Sequence, residues 1–302
     1  MSPYTYGAYG LGIESEIPFP ELPPSDREPQ ISVRYHAIDL RLEGGPAICT
    51  VRDRECLIGL ERIGKFAVRD GREILVEPAA GVDSVTIRVA LLGLCLAVIL
   101  HQRGILPLHA SSIRTPGGAV LFTGPTGCGK STLLAAFLKR GHRMLADDVS
   151  GIFLGPGGVP QVLPAFPQTR LWRDSAGKLG HDVAGPERVL ADLDKFTLST
   201  AQHFADEPSS LRAIYVLEPW DESTTEIEEL ENSAKFGVFV GNTYCKPMVD
   251  GLGLRPSHFR LAVAAAQASV VKRVRRPNSG FRLDELTDRI EQDLRAMGPQ
   301  RH

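Results

Sequence analysis

Apolar and polar residues alternate with a period of two over several short runs in the first third of the chain: residues 31–35, 47–51, 56–60, 66–69 and 74–77. Each run reads as a half-buried strand. Turn signals separate them, among them Asp70-Gly71 and the stretch from Glu43 to Pro46. Residues 17–29 carry five prolines, which favours an extended segment over a helix. Together these runs predict a small antiparallel β unit. The pattern then changes. Residues 84–102 predict a helix that stops at Gly104. Its most apolar part, residues 89–100, is too short to span a bilayer and is flanked by Arg88, His101 and Arg103, so it reads as a buried helix.

Beyond it, a short segment at 106–113 leads to the turn Thr115-Pro116-Gly117-Gly118 and an apolar strand at 119–123. A glycine-rich loop follows, then a helix at 130–140 stopped by Gly141, then a second buried strand at 143–146 that ends in Asp147-Asp148. Strand, loop, helix and strand in this order predict a βαβ unit and hence a parallel sheet covered by helices. This should bring Asp147 and Asp148 beside the loop. Further on, residues 211–218 read as a central strand, 257–269 as a helix with Ser257 as its cap after Pro256, 270–274 as a strand and 283–296 as an amphipathic helix. The fold class is therefore α/β, with a β-rich N-terminal unit over residues 1–84 and an α/β domain over 85–302.

Composition narrows this picture a little. The 302 residues are 43% hydrophobic and 23% charged, with a formal net charge of −2. That balance suits a soluble globular protein and speaks against nucleic-acid or membrane binding driven by bulk charge. Two local runs, Lys272-Arg273 with Arg275-Arg276 and Glu226, Glu228, Glu229, Glu231, read as solvated faces; an anchor for phosphate or an acidic peptide is the alternative for the basic one. The five cysteines have no metal-ligand spacing, and the first twelve residues lack the form of a secretory signal, so a reducing cytoplasm is the expected setting.

The chemistry concentrates in GPTGCGKST, from Gly124 through Pro125, Thr126, Gly127, Cys128, Gly129, Lys130 and Ser131 to Thr132. It fits G-x-x-x-x-G-K-[ST] in full, after an apolar strand and at the start of a helix. Glycines let the backbone curl so that several N–H groups converge on one phosphate, and the helix directs its positive end there. Lys130 would reach the β- and γ-phosphates, and the Ser131 hydroxyl can bind Mg²⁺. ATP with Mg²⁺ is the expected ligand. Two carboxylates beside a bound metal suggest two tasks, one holding the metal and one taking the proton of an attacking hydroxyl. The plain alternative is one metal-holding acid and one loop cap. A lone histidine such as His109, set among apolar residues, is by spacing alone a satisfied core residue.

The run from His109 to Asp148 resembles the HPr serine kinase/phosphorylase family. The residues that carry the resemblance are His109 before the strand, the loop Gly124–Ser131 and the run KRGHRMLADD that ends at Asp148. The resemblance implies a P-loop kinase core of the HPr kinase and phosphoenolpyruvate carboxykinase type. It also implies that Asp147 or Asp148 is the base, that Lys130 and Ser131 hold phosphate and metal with Asp148 as a metal candidate, and that His109 belongs to the site. The glycine-rich signature that supports the phosphorylase reaction in true HPr kinases has no match here. In its place stands LPAFPQTRLWRDS, residues 163–175. With Lys195, the strand at 211–218, Asn242-Thr243-Tyr244, His258 to Leu261 and the N-terminal run from Tyr9 to Glu21, it looks like the HPr-kinase-like proteins of lasso-peptide biosynthesis. Arg170 and Lys195 are the positive residues to expect near the transferring phosphoryl group, with a surface salt bridge as the bland alternative.

The function expected from all of this is an ATP-dependent kinase acting on a serine hydroxyl of a ribosomal precursor peptide, at its C-terminal Ser. A small-molecule kinase with the same core and a non-catalytic, nucleotide-gated regulator are the alternatives. The expected partner is the precursor peptide, with no nucleic acid and no membrane, and homo-oligomerisation is left open.

Overall fold

The computed structural model describes residues 3–41, 47–172, 188–190, 193–278 and 282–298, with side chains left out of the description from 172 to 196. The turn expected between Glu43 and Pro46 lies outside the described residues. Seven strands form the N-terminal sheet: β1 (Tyr4–Ala8), β2 (Leu11–Ser15), β3 (Pro29–Tyr35), β4 (Ala47–Arg52), β5 (Glu55–Leu60), β6 (Gly64–Arg69) and β7 (Glu73–Pro78), in the order β1-β2-β3-β7-β6-β5-β4. The period-two pattern places Ile31, Val33, Cys56, Ile58, Phe66, Val68, Ile74 and Val76 on one face, in one core. Leu57, Ala67 and Leu75 lie on the other, under Ile38. Asp70 and Gly71 both take positive φ, 51° and 66°, as a tight β6–β7 hairpin requires. The expectation of an antiparallel unit holds only for β1–β2 and for β4 to β7. β3 runs parallel to both β2 and β7, because the proline-rich segment carries the chain across instead of turning it back.

The face of this sheet is covered by α1, Ser84–Gln102, whose nineteen residues make it long and apolar enough to cross a membrane by length and composition. Most of it is buried in the protein. The expectation that its apolar run is too short to span therefore understated the helix, while its reading as a buried helix stands. Asp83 caps it by accepting from the Thr86 N–H at 2.9 Å, a contact worth about 1 kcal/mol. A π-helical turn at Leu91–Cys95 interrupts it and directs Gly93 toward the Tyr244 hydroxyl.

The second sheet has eight strands. β8 (Leu106–Thr115) is its pivot: β9 (Gly118–Thr123) pairs with it along one edge, and β10 (Arg143–Ala146) and β11 (Val149–Leu154) pair with it end to end along the other. β9 continues to β16 (Ser209–Trp220), then β18 (Val270–Pro277) and β17 (Glu226–Glu229), while β12 (Pro160–Val162) joins β11 to the start of β16. The parallel sheet expected from the βαβ pattern is thus mixed. β9, β16 and β18 run parallel, but β10 does not pair with β9. β8, expected only as a short segment, lies between them and runs antiparallel to both. β10 and β9 therefore share a direction with one strand between them.

Helices cover this sheet. α2 (Lys130–Lys139) stacks Phe137 on Phe122 at 5.1 Å. α3 (Asn232–Gly241), α4 (Pro247–Gly251) and α5 (Arg255–Ala268) follow β17. Ser257, expected as the cap of α5, sits inside its first turn; its hydroxyl donates to the Leu254 carbonyl, and Pro256 opens the helix because its missing N–H would have had no partner there. α6 (Leu283–Ala296) buries Leu286, Ile290 and Leu294, a stripe at i, i+4 and i+8, against β18, β16 and α2. The two charge runs face each other across β17 and β18, where Arg273 pairs with Glu228 at 3.2 Å. They form a cross-strand ladder, so only part of each is solvated.

Candidate functional site

The glycine loop joins β9 to α2. Gly124 has φ 138°, and a Cβ there would lie 2.4 Å from the Leu217 carbonyl oxygen on β16, so the close approach of the two backbones admits only glycine. Gly129, at φ 98°, caps α2 and turns the chain so that the first N–H groups of the helix open into the loop. Lys130 is buried, and its ammonium donates to the Gly124 and Pro125 carbonyls at 2.9 and 3.1 Å. Those bonds keep its charge folded across the mouth of the loop.

The register along β8 positions the carboxylates. Ala146 lies opposite Ser112 and Val149 opposite His109, so Asp147 and Asp148 fall at the joint where the chain leaves β10 and enters β11. Asp148 takes φ 69°, in the left-handed region that an aspartate tolerates better than most residues. The kink sends the two side chains to different surroundings. Asp147 is buried, and its Oδ1 accepts from Ser111 at 2.6 Å and from Ser131 at 3.0 Å. Its Oδ2 accepts from Thr169 at 2.6 Å and from the Arg170 N–H at 3.2 Å. Asp148 keeps 42% of its side chain exposed and lies 3.5 Å from His109 Nε2. His109 stands edge-on to Tyr244, and its backbone is held by the Asn242 carbonyl at 2.9 Å.

Two recesses meet at His109. One is a cleft of about 240 Å³ lined by Thr126 to Thr132, His109, Asp148 and Arg170. Its other wall comes from Thr225, Arg276, Pro277, Arg282, Leu283 and Leu286. The other recess, about 570 Å³, lies between Pro125-Thr126 and the segment from Gly241 to Cys245, with Glu218 on its rim. His109 and Thr126 line both. Burial, with the charge of Asp148 adding to it, pushes the phenols of Tyr9 and Tyr244 up, so both stay neutral beside that carboxylate.

The residues singled out from the sequence fall close together: His109, Thr126 to Thr132, Asp148 and Arg170 line one cleft, Gly124 and Pro125 line the adjoining recess, and Asp147 is bonded to Ser131. Lys195 belongs to β15 (Leu193–Ser199), where it pairs through its backbone with Trp172, but its side chain lies outside the described ones, as do residues 173–175. The Ser131 hydroxyl bonds Asp147 and not Asp148. Among the described residues no group of three or more His, Cys, Asp or Glu gathers to hold a metal by protein ligands alone. A cation here would share its oxygens with phosphate, which is how Mg²⁺ binds beside a hydroxyl and a carboxylate.

Several site residues were missed in the sequence. Ser111 and Thr169 hold Asp147, and Tyr9 reaches in from the N-terminal sheet to donate to the Val149 carbonyl at 2.9 Å. Arg276 sat in the basic run and was read as solvated; its guanidinium donates to the Cys128 carbonyl at 2.7 and 3.2 Å. The phosphate-anchor alternative for that run was the one signal that pointed toward the cleft.

Comparison with known proteins adds a limited amount. No protein-family model matches the chain, and no curated protein matches it. Among solved structures it is similar to the Hpr(Ser) kinase/phosphatase from Coxiella burnetii, at 13% identity and a TM-score of 0.33, over 63% of this chain and 92% of that one. A likeness of that size carries no inference about activity.

Proposed function

We propose that the chain is an ATP- and Mg²⁺-dependent phosphotransferase. Its acceptor is a serine hydroxyl of a ribosomal, lasso-type precursor peptide, at the C-terminal Ser. The observation that carries this reading is the division between the two carboxylates: Asp147 is bound to Ser131 of the loop, whereas Asp148 faces the cleft beside His109, 3.5 Å away. A site that only bound nucleotide would need the first arrangement and not the second.

The donor set fits the triphosphate and its metal. Ser131 and Asp147 would hold Mg²⁺, which supplies charge neutralisation on the β- and γ-phosphate oxygens when bound. Loop N–H groups and Lys130 would take the phosphates, Lys130 exchanging its two loop carbonyls for phosphate oxygens. Asp148 accepts the proton of the serine hydroxyl as its oxygen bonds to the γ-phosphorus. The bond from that phosphorus to the bridging oxygen breaks, and the nucleoside diphosphate leaves with its electron pair. Arg170, in the lining of the cleft, offers a planar fork to the transferring group. His109 orients Asp148. Tyr9 and Tyr244, held neutral, do not compete for the proton.

The wider recess on the far side of His109 supports a chain end as the acceptor, because about 570 Å³ admits several residues. Its lining includes Asn242-Thr243-Tyr244, part of the resemblance to the lasso-peptide kinases.

Incubating the protein with ATP, Mg²⁺ and a lasso precursor peptide is expected to add about 80 Da per phosphoryl group to the peptide, on its C-terminal serine. ATP turnover stimulated only by small hydroxyl metabolites would move the acceptor to that class. No phosphorylated product across both panels, from protein that binds ATP, would sink the reading.

A further inference from the structure

We propose that Cys49, Cys56 and Met248 form a three-sulfur site for a soft monovalent metal ion, Cu(I), between the N-terminal sheet and α4. The strands supply two of the donors. β4 and β5 pair antiparallel with Cys49 opposite Ile58 and Cys56 opposite Val51, so the two thiols are diagonal neighbours on one face. Their sulfurs lie 3.5 Å apart. α4 supplies the third donor: Met248 Sδ is 3.5 Å from Cys49 Sγ and 3.3 Å from Cys56 Sγ. A Cβ on Gly251 would lie 2.7 Å from Val51 Cγ2, so the helix rests directly on β4 and holds the thioether against the pair. No spacing along the chain signals this trio, because Met248 lies 192 residues beyond Cys56.

The donor set selects the ion. Two thiolates and a thioether are soft ligands, which suit Cu(I) and not the oxygen-seeking Mg²⁺ or Ca²⁺. Zn²⁺ takes four donors in most structural sites, and among the described residues no third His, Cys, Asp or Glu joins the two cysteines. A point equidistant from the three sulfurs is about 2.0 Å from each, so an ion at a metal–sulfur distance of about 2.3 Å would sit roughly 1.2 Å off their plane. Cys56 and Met248 are buried, while Cys49 reaches the surface and gives an ion its way in. As the copper–sulfur bonds form, the two thiols release their protons to solvent and the ion keeps its oxidation state. A disulfide is the competing use of the pair, but diagonal partners stand typically about 7–8 Å apart, at or beyond the span such a bond bridges without backbone movement. The ion would staple α4 to the first sheet just past Cys245, which lines the wider recess.

The test titrates the reduced, metal-free full chain with Cu(I) under anaerobic conditions, in competition with the coloured chelator bathocuproine disulfonate. Wild-type protein is expected to withdraw one equivalent and to show an ultraviolet sulfur-to-copper charge-transfer band. Cys49→Ser and Met248→Leu are each expected to weaken Cu(I) binding by about 10- to 100-fold, the loss usual even for an outer partner of a metal. Cys49 is at the surface and leucine conserves the volume of Met248, so both variants should keep the wild-type urea midpoint. No copper taken up by the wild type would overturn the site. Equal affinity in the wild type and both variants would do the same, by assigning the copper to other cysteines. A Cys49–Cys56 disulfide formed in oxidised glutathione, in a protein that takes up no Cu(I) once reduced, would make the pair a redox couple and not a metal site.

Discussion

Asp147 and Asp148 are adjacent in the chain, yet one accepts four hydrogen bonds in the interior and the other reaches the cleft. The cause is a single residue in the left-handed region, which turns the second side chain away from the first. Their substitutions should separate in the same way. Asp148→Asn would remove the proposed proton acceptor and is expected to lower kcat by about 10²- to 10⁴-fold with ATP affinity nearly unchanged. Asp147→Asn removes the negative charge and turns one of the two accepting oxygens into a donor, so it is expected to weaken binding of Mg²⁺-nucleotide as well. Measuring kcat beside nucleotide affinity for both variants checks this; a reversed pattern would exchange the two roles. Sequence alone singled out the pair and left the assignment open, because their surroundings follow from which hydroxyls and N–H groups lie within 3.2 Å, and those come from β8, α2 and β13 (Gln168–Trp172).

At the scale of elements, α1 shows what periodicity can and cannot deliver. Its length and its end at Gly104 were legible, since an apolar run with a glycine stop allows little else. Its partners were not. One of them is polar: His101 Nε2 lies 2.8 Å from the Tyr244 carbonyl, tying the helix to the segment that borders the wider recess. Burial pushes the His101 imidazole down to about 4, against the bond to Tyr244, which favours the charged form, and with a small contribution from His258. The folded protein therefore resists protonation that the unfolded chain accepts. Stability from this group is fully present above about pH 6.5 and is lost as pH falls toward 4, by on the order of 3 kcal/mol. Urea midpoints measured between pH 7 and 4.5 should fall more steeply for the wild type than for His101→Gln. Parallel pH profiles would show that the histidine is not the titrating tie. The strands repeat the lesson: their positions were readable from alternation, but β8 between β9 and β10, and β3 parallel to β7, required knowing which edges meet.

At the scale of the whole molecule, one buried cluster joins the first sheet to an edge of the second. Ile13, Phe66 and Val76 of the first sheet, Leu92 and Ile99 of α1, and Ala146, Val149 and Leu163 around the second sheet belong to the same buried cluster. Arg88 of α1 and Glu21 of the proline-rich segment add an ion pair at 2.8 Å, nearly closed to water. Removing either partner would strand the other charge, which typically costs several kcal/mol. The boundary drawn near residue 84 thus runs through a continuous interior. Unfolding in denaturant is expected to be a single transition in which tryptophan fluorescence, from two residues that both lie in the second part of the chain, coincides with far-UV circular dichroism. Two separated transitions would show that the N-terminal sheet is an independent unit. Tyr9 ties it to β11 by donating to the Val149 carbonyl, one residue beyond Asp148.

By itself the sequence determined the glycine loop, the elements on either side of it and the identity of the groups that could do chemistry there. These are local properties: glycine conformational freedom, a helix start and the period of apolar residues act over a few neighbours. Only the tertiary structure decided which aspartate meets Ser131, that Arg276 folds back onto the loop, and that the two recesses join at His109. Those depend on contacts between residues from 16 to 148 positions apart along the chain. Such contacts form because the backbones of β8, β9 and β16 must satisfy their hydrogen bonds in the interior and thereby carry their side chains to a common edge.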